Sequence, residues 1–165
     1  MPELTLFADY RQIHVFDEAA DEDLDDEITD EALGDGLVVG RCALIVCTEV
    51  SVDVAVLVEV SAQPPVDDVA AFDHVVEGSI EVSSGRLVVM GCTDYLPDAT
   101  RVEVPAGWLR VRASRANLAA AQAADIDSAE DSATMERLRI QLWPAPPAAR
   151  TVLRHWQSAG ENSQP

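Results

Sequence analysis

The chain has 165 residues, enough for one domain whose core needs neither disulfides nor a metal. A hydrophobic fraction of 48% excludes disorder of the whole chain. Thirty acids face eleven bases, all Arg, for a net charge of −19, which disfavours direct binding to nucleic acid or an anionic membrane and favours basic partners or cations.

The predicted elements begin with two short strands, Leu4–Phe7 and Gln12–Phe16. An acidic loop, Asp17–Asp26, follows. Thr29 to Gly34 reads as one short helix, with Thr29 as N-cap, Asp30 and Glu31 at the positive end of the helix dipole, and Gly34 as the stop. Leu37–Thr48 and Val52–Ser61 read as strands. In the second, Val52, Val54, Val56, Val58 and Val60 share one face and Asp53, Ala55, Leu57, Glu59 and Ser61 the other.

His74–Val82 and Arg86–Cys92 flank Ser83-Ser84-Gly85, and Thr100–Val104 and Trp108–Ser114 flank Pro105-Ala106-Gly107. Both pairs are predicted as hairpins. Residues 116–135 are rich in Ala, Asp and Ser and read as a mobile loop or a weak helix. Arg137–Trp143 is a strand, Pro144–Ala149 an extended connector, and Val152–Trp156 a strand closing the sheet. This pattern predicts an all-β fold: a single antiparallel β-sandwich with one short helix over residues 1–157, followed by a disordered tail at 158–165.

Cys42, Cys47 and Cys92 form no C-x-x-C. Cys42 and Cys47 are five apart and would point to opposite faces of one strand. Three reduced thiols and the lack of a signal-peptide pattern predict a cytoplasmic protein of the bacterial type. The longest apolar stretch, Leu37–Cys47, is too short for a membrane span.

The charge is lopsided. Residues 1–81 carry 21 acids against Arg11 and Arg41, whereas residues 82–165 carry nine acids and nine Arg. Asp21-x-Asp23-x-Asp25 has the alternate-oxygen spacing of a calcium loop, but Asp26 stands where Gly is required and Ala32 where a bidentate Glu is required. No cofactor and no metal site are predicted. Gly34-x-Gly36-x-x-x-Gly40 is not a phosphate loop and lacks Lys. His14, His74 and His155 are scattered. Asp73-His74 is the best acid–base pair for an enzyme, but no nucleophile motif accompanies it, so no catalytic residues are assigned and catalysis is not expected. A calcium- or small-ligand-binding module is the alternative to a protein-binding role.

The densest signal is the run of acids Asp17, Glu18, Asp21, Glu22, Asp23, Asp25, Asp26, Glu27, Asp30 and Glu31, uninterrupted by any base. A row of carboxylates on a rigid scaffold can occupy a basic groove as phosphates do. These ten residues and Tyr10 are the candidate partner-binding set. The partner they suit is a basic protein, with a nuclease as the leading candidate. Phe7 and Phe16 are further aromatic anchors if exposed, although core packing is the simpler expectation for both.

The order of these features resembles the competence protein J family. Leu4-Thr5-Leu6 and the stretch Tyr10–Asp17 are similar to its N-terminal S-Y-x-Q-F-x-V-x-D strand. Ile28-Thr29-Asp30-Glu31-Ala32-Leu33 is similar to its W-T-D-E-A helix, with Ile28 in place of the aromatic. Ser79–Ser114, ending in Pro105-Ala106-Gly107-Trp108-Leu109-Arg110-Val111, is similar to its strand, P-x-G-x-Y-x-L turn and strand. The match spans residues 3–143, with Trp108 where a small polar or acidic residue is common. The resemblance implies a sandwich that inhibits the DNA-entry nuclease of competent bacteria.

Overall fold

Alternating apolar residues set the frame. The computed structural model describes residues 2–157. Its strands are β1 (Glu3–Phe7), β2 (Gln12–Asp17), β3 (Leu37–Val39), β4 (Ala43–Cys47), β5 (Asp53–Val60), β6 (His74–Val82), β7 (Arg86–Gly91), β8 (Thr100–Glu103), β9 (Gly107–Ala116), β10 (Arg137–Pro144) and β11 (Thr151–Arg154). Six form a first sheet in the order β1-β5-β10-β9-β6-β11. Five form a second in the order β3-β4-β2-β7-β8. No helix among the described residues is long and apolar enough to cross a membrane.

One core joins the two sheets. Val54, Val56 and Val58 of β5, Ile140 and Leu142 of β10, and Leu109 and Val111 of β9 meet Ile13, Val15, Leu44 and Val89 of the second sheet. Each row is a period-2 pattern with its apolar phase turned inward. The valine phase of β5 is thus buried as its alternation predicts.

The antiparallel expectation is corrected at one place. β10 pairs parallel with β5, from Arg137 opposite Ala55 to Leu142 opposite Val60. Alternation fixes which face a strand buries, not the direction of its neighbour. Both predicted hairpins are corrected as well. β6 lies in the first sheet and β7 in the second, and β8 and β9 are divided in the same way. The turns at 83–85 and 105–107 therefore arch across the core, while the actual neighbours are β6 with β9 and β7 with β8.

Leu37–Thr48 is not one strand but the hairpin β3–β4, closed by Gly40 N–H donating to the Ala43 carbonyl. The predicted helix is α1 (Asp30–Asp35). Thr29 caps it, its Oγ1 accepting from Ala32 N–H at 3.1 Å. The stop is Gly36, not Gly34, because Gly36 takes the left-handed φ of +81° that closes a helix. The segment read as a mobile loop or a weak helix holds a short helix, α2 (Leu118–Ala124). Asp73 Oδ2 accepts from Leu118 N–H at the start of α2, and Leu118 and Ala121 are buried. The tail predicted at 158–165 lies outside the described residues.

Candidate functional site

The acidic segment lies over the outer face of the second sheet. Leu24, flanked by acids, is buried with Ala32, Val38, Ala43 and Ile45 in a small second cluster that Phe16 and Cys47 also touch. Glu22 fastens the same loop from the other side, accepting from Arg41 N–H and Cys42 N–H at 2.8–3.0 Å. Gly40 permits this approach. A Cβ there would overlap Leu24 and stand 2.7 Å from the Glu22 carboxyl carbon.

The ten acids divide by what they touch. Asp17 is only 2% exposed and faces inward. Its carboxylate accepts from the Ser83 and Ser84 amides, from both their hydroxyls and from Ala19 N–H. Burial works to raise its pKa, but the bonds from Ser84, Ala19 and Ser83 outweigh burial and hold it below the usual carboxylate range. Glu18 pairs with Arg101 at 3.2 Å and Arg86 at 3.6 Å. Glu22 is the loop fastener already described. Asp23 accepts from Asp25 N–H at 2.8 Å, a turn within the loop. Glu31 approaches Arg150 at 3.8 Å. Asp21, Asp25, Asp26, Glu27 and Asp30 are exposed and carry no ion pair among the described residues. Among the described residues, no three His, Cys, Asp or Glu side chains converge as metal ligands.

Beside the acidic segment, one end of the core opens into a cavity of about 530 Å³. Tyr10 stands at its mouth and is 72% exposed. Tyr10 and Arg11 both take left-handed backbone, with φ of 57° and 61°. Consecutive non-Gly residues in that region carry strain, which concentrates at functional positions. Ser51 Oγ holds the turn by accepting from Tyr10 N–H at 3.0 Å. Ile28, Leu33 and Trp156 supply apolar walls. Of the other two aromatic candidates, Phe7 is exposed and Phe16 is half-buried against the second cluster.

Charged residues missed in the sequence reading line the cavity or back it. Arg115 is the last residue in the inward row Leu109, Val111, Ala113 of β9 and is 5% exposed. Its Nη1 lies 3.4 Å from Glu49 Oε1 and 3.5 Å from Glu136 Oε2. Glu136 is fully buried, and its Oε1 accepts from Glu49 N–H and Val50 N–H. Burial raises its pKa, against the pull of Arg115. The available signal was a charge in the apolar phase of a strand: Arg115 continues 109-111-113, and Glu136 precedes 138-140-142 in step.

His74 is 2% exposed, with both ring nitrogens engaged. Trp156 N–H donates to Nδ1 at 3.1 Å, so Nε2 carries the proton and donates to the Asp35 carbonyl at 2.7 Å. Burial, and secondarily the Arg115 charge, lowers its pKa to about 4. Asp73 meanwhile caps α2. The pair nominated for acid–base work is thus divided between two structural tasks. The thiols of Cys42, Cys47 and Cys92 are held above their usual pKa, burial being the largest cause at each, so they stay protonated at neutral pH.

No protein-family model and no curated protein matches the sequence. Solved structures do. The crystal structure of ComJ from Bacillus subtilis, inhibitor of the DNA-degrading activity of NucA, superposes with a TM-score of 0.66, covering 88% of this chain and 96% of ComJ at 12% identity. The fold is ComJ-like. The product of crocagin biosynthetic gene J superposes with a TM-score of 0.60 at 19% identity, covering 87% of this chain and 96% of that one. At such identities the ComJ likeness is one of architecture, and function has to be argued from this chain's own surface.

Proposed function

We propose that this protein is a non-enzymatic inhibitor that binds a basic nuclease in a bacterial cytoplasm and masks its nucleic-acid groove. The observation that carries the reading is the fastened acidic loop. Asp21, Asp25, Asp26, Glu27 and Asp30 are exposed without ion pairs among the described residues, on a segment held by Leu24 and Glu22. Held carboxylates lose little conformational freedom on binding, so more of their attraction remains as affinity. The field of the first half of the chain steers a basic partner and repels the nucleic acid it acts on. Tyr10, Ile28 and Leu33, exposed beside the acids, are the aromatic and apolar anchors. Asp17 and Glu22 serve by holding the loop, and Glu18 and Asp23 are partly engaged within the molecule. The ComJ-like architecture supports the same reading, since ComJ inhibits a nuclease.

The test is capture on the immobilised protein from a lysate of its host at low salt, followed by a salt step. The expected product is a nuclease whose DNA-degrading activity falls when the protein is added back. Recovery of no nuclease, or of one whose activity is unaffected, would count against the proposal.

A further inference from the structure

Arg115 has more donors than acceptors. A guanidinium offers five N–H groups in a fixed plane. Nη1 serves Glu49 and Glu136, both at the long end of hydrogen-bond range. Nε is buried with no partner among the described residues. Nε and Nη2 form one edge of the guanidinium, the edge that takes a carboxylate through two parallel bonds. Neither Glu49 nor Glu136 reaches that edge. Glu136 has committed its other oxygen to two backbone amides. His74 is no rival donor or acceptor, because both its nitrogens are used.

Arg115 lines the cavity of about 530 Å³, a volume within the ~300–1,000 Å³ range of small-molecule sites. Ile28, Leu33 and Trp156 offer apolar contact to the rest of a ligand, and Arg11 adds a second positive charge. The strained Tyr10–Arg11 turn places both side chains at the mouth. We propose that this cavity binds a carboxylate carried on an apolar body, seated against the guanidinium of Arg115 where it lines the cavity. The proposal shares Tyr10, Ile28 and Leu33 with the nuclease-inhibitor reading but uses none of the five exposed acids, so the ligand test and the nuclease test can fail separately.

The probes are phenylacetate and its neutral isostere phenylacetamide, titrated into the full chain by calorimetry and by NMR of the indole N–H groups. Phenylacetate is expected to saturate in the millimolar range or below, with the amide at least ~10-fold weaker because it cannot form the charge-assisted pair. The double variant Arg115→Gln/Glu136→Gln removes both buried charges while keeping an acceptor for the Glu49 and Val50 amides. It is expected to lose the binding with an unchanged circular dichroism spectrum. Should that variant fail to fold, Leu33→Glu at the half-exposed wall is expected to weaken phenylacetate by ~10-fold through the lost apolar contact and the added like charge. An acetylated peptide ending in a free Phe carboxylate, run beside its C-terminal amide, distinguishes the source. Tighter binding than phenylacetate assigns the site to a polypeptide C-terminus, and weaker binding assigns it to a free acid. No saturation by either carboxylate, equal binding of acid and amide, or full binding by the folded double variant would overturn the proposal.

Discussion

At the residue scale, carboxylates of one acidic run have opposite roles. Asp17 gathers the Ser83–Ser84 arch, whereas Asp25 and Asp26 face water. Asp17→Ala would leave buried amide and hydroxyl donors unpaired and is expected to lose ~2–4 kcal/mol in urea unfolding. Asp25→Asn and Asp26→Asn are expected to stay within ~0.5 kcal/mol of the parent. Equal effects at the three positions would contradict this division. Composition marked all ten acids alike; only the inward phase of β2, in which Asp17 follows Ile13 and Val15, distinguished it.

His74 makes a second prediction at this scale. Its folded pKa of about 4 lies below its unfolded value of 6.5. Above 6.5 both states are neutral and the full stability is present. As pH falls from 6.5 toward 4 the unfolded state takes up the proton first, so stability is lost through that window, on the order of 3 kcal/mol. Burial is the main cause of the shift; Arg115 and, less, His155 add to it, while the Asp35 carbonyl and carboxylate oppose it. His14, also lowered by burial, contributes in the same direction, and Glu136, raised by burial, in the opposite one. His74→Gln is expected to show a shallower fall in urea midpoint between pH 7 and pH 5 than the parent. An unchanged slope would show that His74 does not govern it.

At the element scale, the sequence encoded strands better than their partners. Period-2 alternation located nearly every strand because each buries one face. It held no information on the parallel pairing of β5 with β10, since direction leaves the alternation unchanged. The arches at 83–85 and 105–107 have the Gly and Pro chemistry of hairpins, and only the long-range β6–β9 ladder shows that the chain changes sheets there. In α2, Leu118 and Ala121 are a single buried stripe, too little for an amphipathic signal. The acidic loop depends on β3–β4 through Gly40. Gly40→Ala is expected to lower stability modestly and to speed proteolysis within residues 18–28, the core strands remaining protected from hydrogen exchange. Unaltered proteolysis would mean that Leu24 and Glu22 tolerate the added methyl.

At the scale of the whole molecule, a ComJ-like frame carries a net negative charge concentrated in the first half of the chain. The acidic segment was legible in composition, and the capped α1 beside it was legible from Thr29 and the acids that follow. The cavity was not, because its lining is assembled from Val38 of β3, Ile45 and Cys47 of β4, His74 of β6 and Arg115 of β9, which are far apart in sequence. If the acidic face is the binding surface, association should slow as salt rises, because the attraction acts over a Debye length of about 8 Å at physiological ionic strength.

The most direct test is the DNA-degrading activity of the captured nuclease, titrated with the parent protein and with the variant Asp21→Asn/Asp25→Asn/Asp26→Asn/Glu27→Gln/Asp30→Asn. The account predicts that the parent inhibits stoichiometrically at low salt and that the folded variant needs at least ~10-fold more protein for the same inhibition. Equal inhibition by the two proteins would contradict the acidic face as the site of binding.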